Sequence, residues 1–476
     1  MKVRNVRLVA AAALILAAFS ALALAQKDPG TLKFPDIVFK PQRPAALNIK
    51  TGVQLYAIEN RETPTVNAFL VFKTGSLADP KGKEGLAALA MSLTKSGGTK
   101  TLTPEQVEEK LDFLGSTIAF SAGDEFSTAS VWSLAKNFEA TWAILADMLF
   151  NPAFDKDRFD LGKKREIENI RRRWDQPMSV GMYLFQELLY GQGFPDARRT
   201  TSASIDAVRL DDVRNFYETN VKNREVVLAF AGDFQSAKLK ALLKSTFKNW
   251  KGAPAPKLDL PKAQLASRPG VYLIDKPDLT QAIICMGHLG INRLDPDNVE
   301  IAIMNFIFGS GGFNSRMMRE VRSNRGLAYS TFGSVNPGRD RGDFFNFCQT
   351  KSASVVEAIT IMTGIIADMT ANPVTAQELE TAKKYEQNAF VHRFDGPMAV
   401  LRQFIYQKLQ DYPADYLVTY LARIKKVDAA KVLEMAKRTM NPKEMIVLVV
   451  GKKAEVLDLL KGLNMGPVTE LPLPKE

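Results

Sequence analysis

Strand-like and helix-like runs of hydrophobic residues alternate along the chain. Residues 66–72 and 226–231 are short apolar runs rich in β-branched and aromatic side chains, which predicts buried strands. The order of strands, helices and further strands favours an α+β fold with a mostly antiparallel sheet. Apolar residues three or four positions apart predict helices over 84–94, 104–114, 138–150 and 157–174.

The pattern of the first half of the chain returns in the second half. Leu-Ala-Asp-Met before Asn-Pro at 145–152 recurs as Ile-Ala-Asp-Met before Asn-Pro at 366–373, an offset of 221. The strand-like run 225–232 recurs at 444–451, an offset of 219, and Asp79-Pro80 recurs as Asp295-Pro296, an offset of 216. Three matches in one order at a nearly constant offset predict two homologous halves, at 45–252 and 269–468.

Residues 253–268 separate the two halves. Three prolines within 254–261 disfavour helix and sheet alike, so this stretch is predicted to be an extended linker. A length of 476 residues also suits two domains of about 200 residues each. The predicted architecture is a clam-shell of two halves, each a mostly antiparallel sheet covered by helices.

The N-terminus has the composition of a secretory signal. In residues 1–25, three basic residues precede an apolar stretch that ends in Ala23-Leu24-Ala25, which fits the rule for signal cleavage. A membrane anchor is the alternative, although the apolar run is short for a span. We therefore expect export across the inner membrane to the periplasm, with no stable membrane span after cleavage.

The net charge is moderately basic. Loss of the three basic residues of the signal lowers the formal charge from +11 to +8. This charge would favour acidic peptides or a membrane surface, and an ordinary solvated surface explains it equally well. Basic runs at 163–165 and 171–173 are interrupted by Glu166 and Glu168 and accompany no nucleic-acid-binding motif, so no nucleic-acid partner is expected.

The two cysteines, Cys285 and Cys348, lie in strand-like apolar runs. Buried free thiols are the simpler interpretation. A disulfide between them is the alternative in an oxidising compartment.

The sequence lacks the residues of the common hydrolytic centres. A catalytic zinc ion needs three protein ligands, often including two histidines one helical turn apart. The chain has only His288 and His392, which lie 104 positions apart, and we interpret each as a structural or surface residue. No nucleophile elbow, Cys/His pair or dinucleotide fingerprint is present, so an enzyme of unrelated chemistry finds no support.

Gly75-Ser76, Asp79-Pro80, Gly85-Leu86-Ala87 and Gly98-Thr99 follow one another in the first half. Their order resembles the motif region of the pitrilysin/mitochondrial-processing-peptidase family. In the family the zinc motif His-x-x-Glu-His follows Gly-Leu-Ala, and its residues fall on Ala88, Met91 and Ser92, so all three are lost. The third ligand of the family, a glutamate, falls at or next to Glu168. A single carboxylate binds no zinc, so we interpret Glu168 as a surface residue.

Residues 308–330 are similar to the substrate-binding signature of the same family. The signature is a glycine-rich loop, here with Gly309, Gly311 and Gly312, followed by Ser-Arg-Leu/Met and Arg-x-x-x-Gly-Leu-Ala-Tyr-Ser. The resemblance implies that Arg322 and Tyr329 reach towards the zinc site and hold the substrate carbonyl as negative charge develops. The alternatives are an ion-paired surface arginine and an ordinary strand tyrosine. A phosphate-binding loop is rejected because Gly-Lys-Ser/Thr is missing.

Two strands are expected beside these motifs. Gly326 is predicted to end a helix over 315–322 and to lead into a strand over 327–335. Residues 115–121 match the strand to whose edge the family adds an extended substrate. A purely structural strand is the other interpretation of 115–121.

The resemblance leads to two hypotheses about function. In the first, the chain is the non-catalytic, substrate-binding subunit of a heteromeric periplasmic zinc peptidase. Zinc and the general base then come from a homologous partner chain, this chain binds no metal of its own, and the substrate is a peptide. In the second, the chain is an inactive peptide- or protein-binding scaffold of the cell envelope.

Overall fold

Two mixed sheets form the framework of the protein. The computed structural model describes residues 37–41, 43–463 and 465–473, so the predicted signal at 1–25 lies outside the described residues. From Pro41 onwards these residues form one compact unit. The strands of the N-terminal sheet are β1 (Ala46–Lys50), β2 (Val53–Glu59), β3 (Thr65–Phe72), β4 (Thr117–Ala122), β5 (Ser127–Leu134) and β6 (Val226–Gly232). Those of the C-terminal sheet are β7 (Gly270–Asp275), β8 (Ala282–Leu289), β9 (Ala328–Asn336), β10 (Asp343–Thr350), β11 (Ile446–Gly451) and β12 (Val468–Leu471).

The two sheets share one topology over five strands. Their orders are β1-β2-β6-β3-β5-β4 and β12-β7-β11-β8-β10-β9. In both sheets the first strand of the repeat pairs in parallel with the last, β2 with β6 and β7 with β11, and the next three pairs are antiparallel. The sixth strand differs, because β1 pairs antiparallel with β2 whereas β12 pairs in parallel with β7. The prediction of an α+β fold with two homologous, mostly antiparallel sheets is confirmed.

Helices cover both sheets. Three of the four helices predicted from hydrophobic periodicity agree with the structure within one residue at each end, and the fourth, 84–94, is displaced by two residues. The helices of the first half are α1 (Leu86–Ser96), α2 (Pro104–Leu114), α3 (Phe138–Phe150), α4 (Lys156–Arg173), α5 (Pro177–Tyr190), α6 (Ser202–Ala207), α7 (Leu210–Asn220) and α8 (Ser236–Thr246). Those of the second half are α9 (Asn298–Asn305), α10 (Val355–Ala371), α11 (Ala376–His392), α12 (Pro397–Leu409), α13 (Tyr416–Lys426), α14 (Ala429–Thr439) and α15 (Lys453–Lys461).

The two halves exchange one helix each. Helix α5 belongs to the first half of the sequence, but Leu184 and Phe185 are buried in one cluster with Cys285 of β8 and Leu448 of β11. Close approach is possible because Gly181 has no side chain, since a Cβ there would lie 2.7 Å from the Cγ2 atom of Ile283. Helix α5 therefore covers the face of the C-terminal sheet that the helices of the second half leave open.

The reciprocal helix is α12. Its residues Leu401 and Ile405 are buried against Phe69 and Val71 of β3, on the opposite face of the N-terminal sheet from Val66 and the main core. The Arg402 guanidinium also lies 4.2 Å from the centroid of the Phe69 ring. Each sheet is thus closed by a helix from the other half, so neither half is covered without its neighbour.

The proline-rich linker runs without helix or strand from residue 254 to residue 268. Two hydrogen bonds fasten the linker, one to the second half and one to helix α5. The Ala263 N–H donates to the Asp340 carboxylate at 2.6 Å, and the Ala266 N–H donates to the Leu189 carbonyl at 3.0 Å.

Both cysteines are buried free thiols, as the simpler interpretation has it. Cys348 pairs with Ile284 across the sheet whereas Cys285 pairs with Phe347, so the two thiols lie on opposite faces of the sheet. Burial raises the pKa of Cys348 to about 12 and that of Cys285 further.

One helix among the described residues, Ser352–Ala371, is long and apolar enough to cross a membrane by length and composition alone. Its residues Ile359, Met362 and Ile366 are buried within the second half. This burial is that of a core helix.

The exchanged helices should make the two halves unfold together. Phe185→Ala removes a fully buried ring and is expected to cost about 3–5 kcal/mol. The tryptophans at 132, 142 and 250 lie in the first half, whereas Trp174 packs on the second sheet in the cluster of Phe185 and is replaced by phenylalanine in both proteins. Denaturant unfolding followed by tryptophan fluorescence should therefore shift to lower denaturant in this variant.

Phe113→Ala is the control, because Phe113 is 89% exposed and its loss should change stability by less than about 0.5 kcal/mol. An unchanged tryptophan transition in Phe185→Ala would show that the halves unfold independently.

Candidate functional site

Helix α1 carries the positions at which zinc ligands are lost. Ala88 and Ser92 lie one turn apart on its exposed face, whereas Met91 is 0% exposed and packs in the core of the first half. A methyl group and a buried thioether offer no hard ligand for zinc, and a lone hydroxyl is a poor one. The residues present at this position do not fit the zinc ion of the family.

The carboxylate of Glu168, at the position of the third family ligand, does not form a metal site. Glu168 is exposed on α4, and its carboxylate lies 2.7 Å from a guanidinium nitrogen of Arg171, one turn further along the helix. Among the described residues no group of three or more His, Cys, Asp or Glu side chains is placed to hold a metal ion. Glu168 is therefore a surface residue in an ion pair, as interpreted from the sequence.

Neither histidine is placed to bind a metal. His288 is buried, with its Nδ1 atom 2.9 Å from the Leu289 carbonyl and its Nε2 atom accepting the Asn441 N–H at 2.8 Å. Burial lowers the pKa of His288, so the ring is neutral and both nitrogens are used within the fold. His392 is exposed at the end of α11.

Asp79 explains why the frame of the motif survives without its ligands. Its carboxylate accepts the N–H groups of Gly85 and Ala87, both at 2.8 Å, and so caps the start of α1. Gly85 itself has a φ of 100°, which glycine adopts without strain. Burial raises the pKa of Asp79 to about 6, although the two N–H donors and Arg198 act in the opposite direction.

The glycine-rich loop of the second half is held by close backbone contacts. Helix α9 continues as a π-helical segment, Phe306–Ser310, and a Cβ at Gly309 would lie 2.4 Å from the backbone nitrogen of Gly333 on β9. Gly312 has a φ of 56° and begins a short 3-10 turn, Gly312–Asn314. Gly309 therefore allows the close packing of helix on strand, and Gly312 allows the turn that follows.

Arg316 anchors the other end of the loop. Arg316 is 7% exposed, and its guanidinium forms two hydrogen bonds of 2.8 Å with the Glu378 carboxylate. Burial alone would raise the pKa of Glu378, but the Arg316 guanidinium and the Thr375 N–H hold this pKa at about 2. The arginine of the Ser-Arg motif is thus a structural tie to α11.

Arg322 and Tyr329 come together in the structure. Arg322 lies in a second π-helical segment, Met318–Asn324, and its guanidinium carbon is 4.6 Å from the centroid of the Tyr329 ring. The same carbon is 4.8 Å from the centroid of the Phe313 ring. Among the described residues, the guanidinium of Arg322 has no ion pair and no hydrogen bond, so its N–H donors are available to a ligand.

The orientation of Tyr329 comes from a β-bulge. Ala328 pairs with Thr350 and Ser330 pairs with Gln349, so Tyr329 is an extra residue with no partner on β10. Bulges re-aim side chains and are common at the edges of sheets. Tyr329 is 79% exposed on the edge strand β9. Gly326 has a φ of 64° and ends the preceding helix, as predicted.

The sequence pointed to Arg322 and Tyr329 but gave Phe313 no role. Phe313 is 65% exposed, and exposure of a large aromatic ring is not visible in a one-dimensional pattern. The signal that could have found it is its position beside Gly312, on the loop that precedes Arg322.

The strand predicted over 115–121 is β4, which lies at the open edge of the N-terminal sheet. Thr117, Ala119 and Ser121 are exposed along it, and Ile118 faces the core. An extended peptide could pair with the free backbone groups of this edge. Both edge strands that carry candidate residues, β4 and β9, are thus unpaired on one side among the described residues.

The described residues have a metallopeptidase architecture in which Ala88, Met91 and Ser92 stand in place of zinc ligands on helix α1. Residues 55–191 match the family described as Insulinase (Peptidase family M16), and residues 207–385 match Peptidase M16 inactive domain. The two matches together cover most of the first half and the second half as far as residue 385. The chain belongs to the M16 (insulinase/pitrilysin) family.

The chain is similar to proteins of the family that differ in their described activity. It is 22% identical over 405 residues to the Non-peptidase homolog YmxG of Helicobacter pylori, which covers 83% of this chain and 91% of that protein. It is 21% identical over 428 residues to the probable mitochondrial-processing peptidase subunit beta of Arabidopsis thaliana, covering 87% and 79%. Other bacterial relatives are described as uncharacterized zinc proteases.

A solved structure shows the same fold. The crystal structure of a peptidase M16 inactive domain from Pseudomonas fluorescens matches with a TM-score of 0.77 at 22% identity, over 86% of this chain and 98% of that one. The fold is therefore the M16 two-domain architecture.

The buried Asp79 carboxylate should make stability depend on pH. Because its folded pKa is raised, the folded protein binds a proton between about pH 4 and 6 that the unfolded chain does not, so stability falls as pH rises through this range. A shift from 3.8 to about 6 corresponds to roughly 2–3 kcal/mol. Urea unfolding of wild type and Asp79→Asn at several pH values measures this contribution as the difference between their free energies of unfolding.

The free energy of unfolding of wild type should rise relative to that of Asp79→Asn as pH is lowered from 7 to 4. A constant difference, or one that moves in favour of Asp79→Asn at low pH, would contradict the assignment.

Proposed function

We propose that this chain is the non-catalytic, substrate-binding subunit of a two-chain zinc peptidase. The observation that supports it best is the guanidinium of Arg322, which lies against the ring of Tyr329 with its N–H donors unused. A guanidinium and a phenol are donors suited to the oxyanion that develops on a peptide carbonyl during hydrolysis. The chain contributes these donors, and a homologous partner contributes the zinc ion and the general base.

The lost ligands of α1 support a division of labour between chains. With Ala88, Met91 and Ser92 in the zinc frame, the chain cannot hydrolyse peptides by the route of its family. The Arabidopsis relative is named as one subunit of a processing peptidase, and we extend that kind of arrangement to this chain.

The substrate in this proposal is an extended peptide. Its backbone pairs with the open edge of β4, and one of its carbonyl groups receives the donors of Arg322 and Tyr329. The N-terminal segment 1–25 has the composition of a secretory signal, so we place the two-chain peptidase in the periplasm.

A second function is a scaffold that binds peptides or another envelope protein without cleaving them. The Helicobacter pylori relative, described as a non-peptidase homologue, favours this alternative. The scaffold would bind its ligand with no homologous partner present. Recovery from periplasm as a homodimer, or with an unrelated protein, would support the scaffold over the peptidase subunit.

The test is peptidase activity of the chain alone and together with its zinc-bearing homologue. We expect no activity from the chain alone and full activity only from the pair. Arg322→Ala should lower kcat of the pair by about 10²–10³-fold, and Tyr329→Phe by a similar factor, because each removes one donor to the oxyanion.

Arg325→Ala is the matched control, since Arg325 is exposed three residues further on and pairs with Glu357 at 3.8 Å. Its kcat should stay within about twofold of wild type, as expected for loss of a surface ion pair. Peptidase activity in the chain alone, or an unchanged kcat of the pair after Arg322→Ala, would overturn the proposal.

A further inference from the structure

Phe313 exposes a large apolar ring that contributes little to the core. It is 65% exposed, on the short turn Gly312–Asn314 between two π-helical segments. A side chain of this kind adds little stability through burial. What the ring does contact is the guanidinium of Arg322, at 4.8 Å.

The turn that carries Phe313 is fixed in place. The hydroxyl of Ser315 donates to the Gly312 carbonyl at 2.7 Å, and the Ser315 N–H donates to the same carbonyl at 3.0 Å. The next residue, Arg316, is tied to Glu378 by its two hydrogen bonds. Phe313 is therefore presented at a defined position and does not sit on a free loop.

Arg322 differs from the arginines near it in the sequence. Arg316, Arg319 and Arg325 lie six and three residues before it and three residues after it, and each has a carboxylate partner in Glu378 or Glu357. The guanidinium carbon of Arg322 lies instead close to two aromatic rings, 4.8 Å from the centroid of Phe313 and 4.6 Å from that of Tyr329.

This difference has a chemical consequence. A carboxylate partner would occupy the N–H donors, which lie in the plane of the guanidinium. Aromatic rings attract the cation through their faces and leave the in-plane donors free. A long side chain held in this way also loses less rotamer freedom when it meets a ligand.

We propose that Phe313 is a positioning residue for Arg322, clamping the guanidinium against Tyr329 so that its donors are oriented before the substrate binds. This inference rests on the proposed function for the role of Arg322 in hydrolysis. The clamp itself is a property of the isolated chain and can be measured without a partner or substrate.

The direct test is the NMR signal of the Arg322 side chain in protein labelled with ¹³C-arginine. Protons that lie over aromatic ring faces are shielded, so the Arg322 Hδ signals, assigned by their loss in Arg322→Lys, should lie upfield of those of exposed arginines. Phe313→Leu should move them downfield, whereas Phe313→Tyr should leave them in place. Phe113→Leu, at an exposed phenylalanine in the other half, is the matched control and should not move them. Arg322 signals unchanged in Phe313→Leu would overturn the clamp.

The kinetic test uses the pair of chains. Phe313→Leu should lower kcat by about two- to fivefold with little change in KM, the effect of losing one exposed cation–π contact, and Phe313→Tyr should restore it. In the Arg322→Ala background, Phe313→Leu should have no further effect, because it acts only through Arg322.

The two proposals fail in different ways. An unchanged kcat in Arg322→Ala would overturn the proposed function and leave the NMR result to decide the clamp. A lowered kcat in Arg322→Ala with wild-type kcat in Phe313→Leu would overturn the positioning role of Phe313 alone. A kcat loss in Phe313→Leu that persists in the Arg322→Ala background would identify a structural effect and also overturn it.

Discussion

Each sheet of this protein has two apolar faces and only enough helices in its own half to cover one of them. The uncovered face is closed by a helix from the other half, α5 on the C-terminal sheet and α12 on the N-terminal sheet. Burial of these faces is the largest favourable contribution available to join the halves. The exchange fixes the first half relative to the second, and therefore fixes helix α1 relative to the loop that carries Phe313 and the helix that carries Arg322. A relative motion of the two halves, as the word clam-shell implies, would have to break both exchanged contacts.

The motif regions of the two halves differ in whether chemical groups are present as well as the backbone frame. In α1 the backbone frame persists because Asp79 and Gly85 hold the start of the helix, and this requirement is independent of zinc. In the second half, candidate functional side chains are present as well as the backbone frame that positions them. Unlike Arg316, Arg319 and Arg325, Arg322 has no carboxylate partner among the described residues, and it lies beside a tyrosine that a bulge turns outward. The contrast between an inert frame and a set of free donors is the basis for regarding the chain as half of a catalytic site.

Much of the fold could be predicted from sequence, because local periodicity and repeated segments report directly on strands and helices. The strand at 226–232 and the helix Phe138–Phe150 are examples. The exchange of α5 could not be predicted, since an amphipathic pattern identifies an apolar face but not the sheet on which it packs. The candidate pair Arg322 and Tyr329 came from a motif resemblance. Phe313 and the bulge at Tyr329 depend on three-dimensional contacts and strand register, which leave no periodic signal. The boundaries 45–252 and 269–468, the signal at 1–25 and the periplasmic location stay predictions.

The central claim is that this chain supplies donors that act in the transition state. It is tested most directly by comparing how the pair of chains binds a phosphinic peptide, which mimics the tetrahedral intermediate, and an uncleaved peptide of the same sequence. Donors specific for the oxyanion strengthen binding of the first ligand more than that of the second. The account predicts that Arg322→Ala weakens binding of the phosphinic peptide by about 10²–10³-fold and that of the uncleaved peptide by less than about tenfold. Equal weakening of both ligands, or no weakening of either, would contradict it.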